Sequence, residues 1–170
     1  MNNSKPVFLV GFMGSGKTTW GRKLALKTER VFIDLDEEIV GEAGMPIPEY
    51  FVQYGEAAFR ELESRVLKNL PLDQPSIVAT GGGTPCFFDN MAWMNKMGKT
   101  IYLYLAPKAL WSRLMQTDIA TRPALRGLNG KELLDDITAK LDERTPHYQQ
   151  ATHIVDQISL RLDDLISLSK

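Results

Sequence analysis

The segment GFMGSGKT, from Gly11 to Thr18, has the residue types and spacing that bind phosphate groups. It matches the pattern G-x-x-x-x-G-K-[ST] and lies between an apolar run and a stretch of helical period, which is the context this motif requires. Its glycines let successive N–H groups turn toward phosphate oxygens, and the start of the helix adds partial positive charge. Lys17 would reach the β- and γ-phosphates, and Thr18 would offer its hydroxyl to Mg²⁺. The motif therefore predicts a nucleotide-binding loop.

A nucleotide-binding loop leaves the reaction open. Three classes of function fit it: a small-molecule kinase, a nucleoside monophosphate kinase, and a nucleotide-dependent switch that transfers no phosphoryl group. The residues of a pocket for a second substrate would distinguish these three classes, so the other charged positions of the chain bear on the choice.

Two aspartates, Asp34 and Asp36, lie at the end of the apolar run VFID and just beyond it. Enzymes with this loop usually carry an acid at the end of a second strand, where it orients the metal. Extended residues at i and i+2 face the same side, so the two carboxylates could converge, one on the metal's water shell and one on an attacking hydroxyl. Alternatively, acids at this point begin a helix predicted over residues 37–43, which we favour for the two glutamates that follow.

One arginine, Arg60, lies at the edge of the apolar face of a helix predicted over residues 56–70. Such a side chain could bind an anionic substrate. On this helix alone, an i,i+4 pair with Glu56 is the simpler interpretation.

A second arginine, Arg144, lies in a helix predicted over residues 131–145 and ended by Pro146. Its spacing continues the apolar stripe of that helix, so the side chain should face inward. A buried guanidinium needs a carboxylate or phosphate partner, either an internal acid or an anionic substrate. The alternative is a side chain that reaches solvent from the helix end. The stripe consists of Leu134, Ile137 and Leu141.

Three successive glycines, Gly81, Gly82 and Gly83, follow the apolar run SIVAT. Such a sequence is unfavourable unless another backbone or a ligand approaches closely. Ligands of open α/β sheets bind outside the carboxyl ends of the strands, so these glycines should lie near the nucleotide-binding loop and the two aspartates. Arginines for a carboxylate and aspartates for hydroxyls together suggest a small polyhydroxy carboxylic acid as substrate.

Residues 117–130, TDIATRPALRGLNG, contain a proline and two glycines but few large apolar side chains. This composition predicts a lid over the site, with an ordinary surface loop as the alternative. Arg122 could close over the transferring phosphoryl group, and Arg113, just before the segment, could stack on adenine. Solvated charges are the alternative for both arginines.

Five short apolar runs alternate with stretches of helical period, which predicts a parallel sheet of βαβ units and an α/β fold. At 170 residues the chain should form a single domain, 1–170, with a substrate-binding insert at 36–70 and the lid at 117–130. The predicted strands are PVFLVG (6–11), VFID (31–34), SIVAT (76–80), TIYLYL (100–105) and THIVD (152–156).

The overall composition argues against nucleic-acid and membrane partners. A formal net charge of -1 provides no basic field, and the N-terminal apolar run is far shorter than the roughly 20 residues that span a bilayer. The single cysteine, Cys86, cannot form an internal disulfide, which favours a reducing compartment. We expect a cytoplasmic protein, with a monomer as the default.

Taken in order, GFMGSGKTT, DLD, FRELE, GGGTP, RP in the lid and ERTPHY resemble the motifs of the shikimate kinase family. The later motifs are weak singly, but their ordered set is specific and spans residues 7 to about 157. The resemblance implies a nucleoside monophosphate kinase-like three-layer sandwich, with helices on both faces of a sheet of strand order 2-3-1-4-5. It also implies phosphoryl transfer from ATP, with Mg²⁺, to the 3-hydroxyl of shikimate in aromatic amino-acid biosynthesis. A gluconate-type kinase is the nearest rival, but it gives no reason for the FR, GGG and ER-x-P set.

The resemblance also assigns roles by motif. Thr18 and Asp34 would hold Mg²⁺ and its waters, Asp36 would meet the reacting hydroxyl, and the arginines would meet the substrate carboxylate. This reverses the preference for a simple helix pair at Arg60. The implied catalytic residues are Lys17, Asp36 and Arg122; the implied ATP contacts are Gly14, Ser15, Gly16, Lys17, Thr18, Thr19 and Arg122; and the implied shikimate contacts are Asp36, Arg60, Gly81, Gly82, Gly83 and Arg144.

Overall fold

The computed structural model describes residues 5–116 and 130–170. Five strands form one sheet of order β2-β3-β1-β4-β5, and each neighbouring pair is parallel, which confirms the predicted fold and strand order. The strands are β1 (Val7–Val10), β2 (Val31–Asp34), β3 (Ser76–Ala79), β4 (Lys99–Tyr104) and β5 (His153–Asp156). The helices are α1 (Lys17–Thr28), α2 (Leu35–Ala43), α3 (Ile47–Lys68), α4 (Asn90–Met97), α5 (Pro107–Met115), α6 (Gly130–Tyr148) and α7 (Leu162–Ser169).

The central strand β1 is apolar on both sides because each of its faces is covered by helices. Val7 and Leu9 pack with residues of α1 and α7, whereas Phe8 and Val10 pack with residues of α3, α4, α5 and α6. Alternate side chains of a strand point to opposite faces, so the continuous run VFLV supplies both layers of the core. Within the described residues, no helix is both long and apolar enough to cross a bilayer.

The helix predicted over residues 56–70 is the second part of a longer element. α3 begins at Ile47, is interrupted at Gly55, where φ is 82° and ψ is 172°, and ends at Lys68. Its predicted apolar face lies in the core, as the burial of Phe59 and Leu62 shows. Beyond the bend at Gly55, the second part of α3 contacts α2 through the ion pair of Arg65 with Glu42 and presents Arg60 to the carboxyl end of the sheet.

α6 differs from the prediction at its C-terminal end. The helix continues through Pro146 to Tyr148, so the expectation that Pro146 ends it was wrong. Tyr148 is fully buried, and its ring stacks on Tyr102 with 4.9 Å between centroids. This packing offsets the backbone hydrogen bond that proline cannot make. In the first turns the buried stripe begins at Leu133, not at the half-buried Leu134.

Candidate active site

The predicted nucleotide-binding loop runs from the end of β1 into the start of α1. Gly14 and Gly16 have φ values of 78° and 83°, a left-handed conformation that only glycine adopts without strain. Lys17 Nζ donates hydrogen bonds to the carbonyl oxygens of Gly11 and Phe12, at 2.8 and 2.9 Å, so its ammonium lies within the loop. The structure thus brings the six predicted ATP contacts, residues 14–19, into one loop and the first turn of α1.

Thr18 and Asp34 lie side by side at the edge of this loop. Thr18 Oγ1 donates to Asp34 Oδ2 at 2.9 Å, and Asp34 Oδ1 accepts the backbone N–H of Asp36 at 3.1 Å. Asp34 therefore caps α2 and also holds the threonine hydroxyl. A hydroxyl and a carboxylate so placed are the hard oxygen donors that Mg²⁺ prefers.

The expectation that Asp34 and Asp36 share one face of an extended segment was wrong. α2 already begins at Leu35, so Asp36 lies in its first turn, and its Oδ1 would lie 3.4 Å from a Cβ at Gly81, the first glycine after β3. The next acid, Glu37, pairs with Arg22 at the surface, at 3.0 Å, as expected for a charge at a helix start. The two aspartates thus adjoin different groups, Asp34 the hydroxyl of Thr18 and Asp36 the glycines after β3.

The glycine loop, residues 81–83, is packed against charged side chains. A Cβ at the first glycine would lie 2.9 Å from Glu63 Oε1, and a Cβ at the third would lie 2.6 Å from Arg60 Nη1. A Cβ at the middle glycine would lie 3.0 Å from the backbone nitrogen of Met13, with Arg144 Nη1 in ordinary contact at 3.5 Å. The loop favours three glycines because a carboxylate, a backbone nitrogen and a guanidinium lie where their side chains would begin.

Arg60 is held by two acids and a ring. Its Nη1 donates to Glu63 Oε2 at 2.9 Å, and its Nη2 donates to Glu56 Oε1 at 3.3 Å. Glu63 is only 1% exposed and also accepts a hydrogen bond from Thr84 Oγ1 at 2.6 Å. The ring centroid of Phe87 lies 4.3 Å from the guanidinium carbon. The predicted pairing with Glu56 is present, but the buried partner is Glu63.

Arg144 reaches the same loop from α6 with fewer partners. Its Nη1 is buried and has no hydrogen-bond partner within the described part of the chain. The guanidinium lies over the ring of Phe12, 5.4 Å from the centroid. Burial raises the pKa of the adjacent Tyr148, and the positive charge of Arg144 opposes that rise. Arg144 thus faces inward, as its spacing predicts.

A cavity of about 840 Å³ joins these side chains and reaches the nucleotide-binding loop at Met13. One part of its wall is apolar and the other carries the charged groups, which suits a ring with polar substituents. The lining residues include Met13, Asp36, Ile47, Phe51, Phe59, Arg60, Glu63, Gly81, Gly82, Gly83, Lys140 and Arg144.

Arg113 contacts the outer side of the nucleotide-binding loop. Its Nη1 donates to Gln157 Oε1 at 3.0 Å and to the Gly14 carbonyl at 3.4 Å, while the Gln157 amide donates to the Ser15 carbonyl. Its predicted contact with adenine stays a prediction. Arg122 and most of the predicted lid, 117–129, lie outside the described residues.

A model of the shikimate kinase family matches residues 13–167. The shikimate kinase of Bacteroides fragilis is 45% identical over 148 residues, which cover 87% of this chain and 82% of that protein. The crystal structure of shikimate kinase from Bacteroides thetaiotaomicron has a TM-score of 0.87 and 39% identity, and the match covers 96% of this chain and 94% of that one. The structure of shikimate kinase from Acinetobacter baumannii in complex with shikimate has a TM-score of 0.83 and 34% identity, with 96% and 89% covered. The chain belongs to the shikimate kinase family.

Membership of the shikimate kinase family confirms the resemblance inferred from the ordered motifs. It also makes the chain an ATP-dependent kinase with a hydroxyl group as acceptor. Of the three function classes left open by the loop, the small-molecule kinase is the one that the family supports.

Sequence reasoning missed three residues that surround Arg60 in this shikimate kinase fold. Glu63 had a signal, since it follows Arg60 by three residues in FRELE, but the same spacing produces exposed pairs of little consequence. Thr84 and Phe87 carried no local signal, because they meet Arg60 and Glu63 only through the packing of the glycine loop on α3.

Proposed function

We propose that this chain transfers the γ-phosphoryl group of ATP to the 3-hydroxyl of shikimate, giving shikimate 3-phosphate and ADP. The observation that carries the proposal is the acceptor cavity, which places two guanidinium groups and the Asp36 carboxylate around one space beside the nucleotide-binding loop. Guanidinium forks suit a carboxylate, and a carboxylate suits a hydroxyl. The related Acinetobacter baumannii protein, solved in complex with shikimate, supports this choice of acceptor.

On the nucleotide side, the backbone N–H groups of residues 14–19 and the Lys17 ammonium would bind the phosphates of ATP. Lys17 is well placed for this role, because its contacts with two loop carbonyls hold the ammonium inside the loop. Arg122 is proposed, from the sequence alone, to contact the transferring phosphoryl group from a lid at 117–130. These groups would stabilise charge that spreads over the phosphoryl oxygens during transfer.

Thr18 and Asp34 would hold Mg²⁺, Thr18 through its hydroxyl and Asp34 through the metal's water shell. The support is the 2.9 Å contact between these two oxygen-bearing side chains, which puts suitable donors together at the start of α1. When bound, the metal would neutralise phosphate charge.

On the acceptor side, Arg60, Arg144 and the backbone of Gly82 would bind the carboxylate of shikimate, and Asp36 would accept a hydrogen bond from its 3-hydroxyl. Gly81 and Gly83 would keep the space that these contacts need. The oxygen of the aligned hydroxyl would attack the γ-phosphorus, its proton would pass to Asp36 or to the transferred phosphoryl group, and the bond to ADP would break. The expected gain comes from positioning and charge stabilisation.

We further infer a single domain over 1–170 with an acceptor-binding insert at 36–70. A monomer in the cytoplasm, with no nucleic-acid or membrane partner, stays a prediction from composition.

The test is an assay of ADP release from ATP and Mg²⁺ with shikimate, gluconate or AMP as acceptor, with the product identified by its mass. We expect ADP release with shikimate and a product of the mass of shikimate 3-phosphate. Stimulation by gluconate or AMP alone would contradict the proposal, and no stimulation by any acceptor would favour a switch. Asp36→Asn is the control variant, which should still bind ATP but lose acceptor-dependent turnover.

A further inference from the structure

Phe87 lies over the cation of Arg60 at a distance suited to a cation–π contact. The ring centroid is 4.3 Å from the guanidinium carbon, closer than the 5.2 Å to the ring of Phe59 on the same helix. Attraction of this kind operates within about 6 Å of the ring centroid. None of the roles proposed above involves Phe87, so the contact calls for its own explanation.

The turn that carries Phe87 contains a residue in a strained backbone conformation. Phe88 has a φ of 51°, in the left-handed region, which is a genuine outlier for a bulky residue. Its side chain is 65% exposed, so Phe88 gains little burial in return. The turn is closed by a hydrogen bond from Asn90 N–H to the Phe87 carbonyl at 3.2 Å. The strained turn persists because buried neighbours such as Asn90, which is 0% exposed, determine its path, and that path places Phe87.

The segment that carries Phe87 is also tied to Arg60 by hydrogen bonds. Thr84 Oγ1 donates to Glu63 Oε1 at 2.6 Å, and the other oxygen of Glu63 accepts from Arg60 Nη1 at 2.9 Å. Asn90 Nδ2 anchors the same turn through the Thr84 carbonyl at 2.9 Å. The segment after the glycine loop thus supplies the aromatic ring over the guanidinium of Arg60 and, through Thr84, a hydrogen bond to the buried carboxylate that pairs with Arg60.

We propose that Phe87 is a positioning residue that holds the guanidinium of Arg60 in the orientation that receives the acceptor's carboxylate. This inference rests on the proposed function. A guanidinium fixed by the ring loses less side-chain freedom when a carboxylate binds, so acceptor binding is tighter. Without the ring, the guanidinium keeps its bond to the buried Glu63 but can tilt toward Glu56, whose side chain is 62% exposed. We expect no change in nucleotide binding.

The experiment compares Phe87→Leu with Phe88→Leu, its exposed neighbour. Phe87→Leu keeps apolar bulk but removes the ring, so we expect kcat/KM for shikimate to fall about three- to tenfold while the KM for ATP is unchanged. Phe87→Tyr keeps the ring and should retain the wild-type value, as should Phe88→Leu. Phe87→Met supplies a second non-aromatic variant, and thermal unfolding of each variant checks that it folds.

A double-mutant cycle with Arg60→Met separates positioning from packing. If Phe87 acts through Arg60, Phe87→Leu should cause no further loss of kcat/KM for shikimate in the Arg60→Met background. An equal loss in both backgrounds, or wild-type kinetics of both Phe87→Leu and Phe87→Met, would overturn the inference while leaving the proposed function intact. A wild-type protein that does not use shikimate would instead refute the proposed function.

Discussion

Arg60 on α3 and Arg144 on α6 both border the glycine loop, but they are prepared for a ligand in different ways. Arg60 contacts two carboxylates, and the inner one, Glu63, is 1% exposed. Arg144 forms no ion pair within residues 5–116 and 130–170, and its Nη1 is buried without a hydrogen-bond partner there. The charge of Arg60 is therefore compensated by protein carboxylates before any acceptor binds, whereas Arg144 has no such partner in this part of the chain.

This difference assigns separate contributions to two chemically identical side chains. A buried donor without a partner has lost its water and regains a hydrogen bond only when a ligand supplies an acceptor. Arg144 should therefore supply most of the attraction for a carboxylate. The charge of Arg60 is compensated by its acids and its guanidinium contacts the ring of Phe87, so Arg60 should mainly orient the bound carboxylate. Substitution of each arginine by methionine, which keeps the length of the side chain, tests this difference between the two arginines.

The largest expected effect is the loss of stability of Arg60→Met. Removing the cation leaves Glu63 buried and unpaired, which should lower the free energy of unfolding by about 3–5 kcal/mol. Chemical denaturation measures the loss. A second change, Glu63→Gln, should restore part of it, because a neutral amide costs less to bury than a carboxylate. Unchanged stability of Arg60→Met would show that the pair is not needed to satisfy Glu63.

The next effect is on acceptor binding in Arg144→Met. Loss of the guanidinium should raise the KM for shikimate about 100-fold, equivalent to about 3 kcal/mol, with little change in the KM for ATP. The free energy of unfolding should stay within about 1 kcal/mol of the wild-type value, because no buried acid loses its partner. An unchanged KM would mean that the unpartnered nitrogen does not face the acceptor.

The two arginines also show which parts of the site a sequence can predict. The nucleotide-binding loop and the strands could be predicted because they depend on neighbours in the chain: β-branched runs, glycines and a following helix. The inward direction of Arg144 came from helical spacing in the same way. The buried state of Glu63 could not be predicted, since it depends on the fit of the glycine loop against α3.

Two errors have the same physical origin. Asp36 was assigned to an extended segment, although the Asp34 carboxylate caps a helix that begins one residue later, at Leu35. Aspartate is a preferred cap, so a signal for this start was present. In the second case, α6 was expected to end at Pro146, whereas the burial of Tyr148 extends this helix. In both cases the competing contact outweighed the pattern used for the prediction.

A smaller effect is expected from Gly83→Ala, which perturbs Arg60 without removing it. The backbone at Gly83 has a φ of -90°, which alanine adopts readily, but the new Cβ would lie 2.6 Å from Arg60 Nη1. The guanidinium must shift, so kcat/KM for shikimate should fall about tenfold. Gly41→Ala in α2 is the control, because its Cβ meets nothing within 4 Å, and it should stabilise the helix by about 1 kcal/mol. Wild-type kinetics of Gly83→Ala would show that Arg60 tolerates movement.

The smallest effect concerns the thiol of Cys86, whose pKa responds to both arginines. Burial raises this pKa to about 11; Arg144 lowers it most, Arg60 also lowers it, and Glu63 raises it. Since Glu63 opposes Arg60, loss of both members of that pair should change the pKa less than loss of Arg144 does. Arg144→Met should raise the pKa further.

Alkylation of the half-buried Cys86 by iodoacetamide measures this difference, because the thiolate is the reactive form. Below the pKa, a higher pKa means less thiolate and a slower reaction at a given pH. At about pH 10, Arg144→Met should therefore react more slowly than the wild type, and the variant with both Arg60→Met and Glu63→Gln should lie closer to it. The opposite order would mean that Arg60, not Arg144, provides the uncompensated positive charge of the cavity.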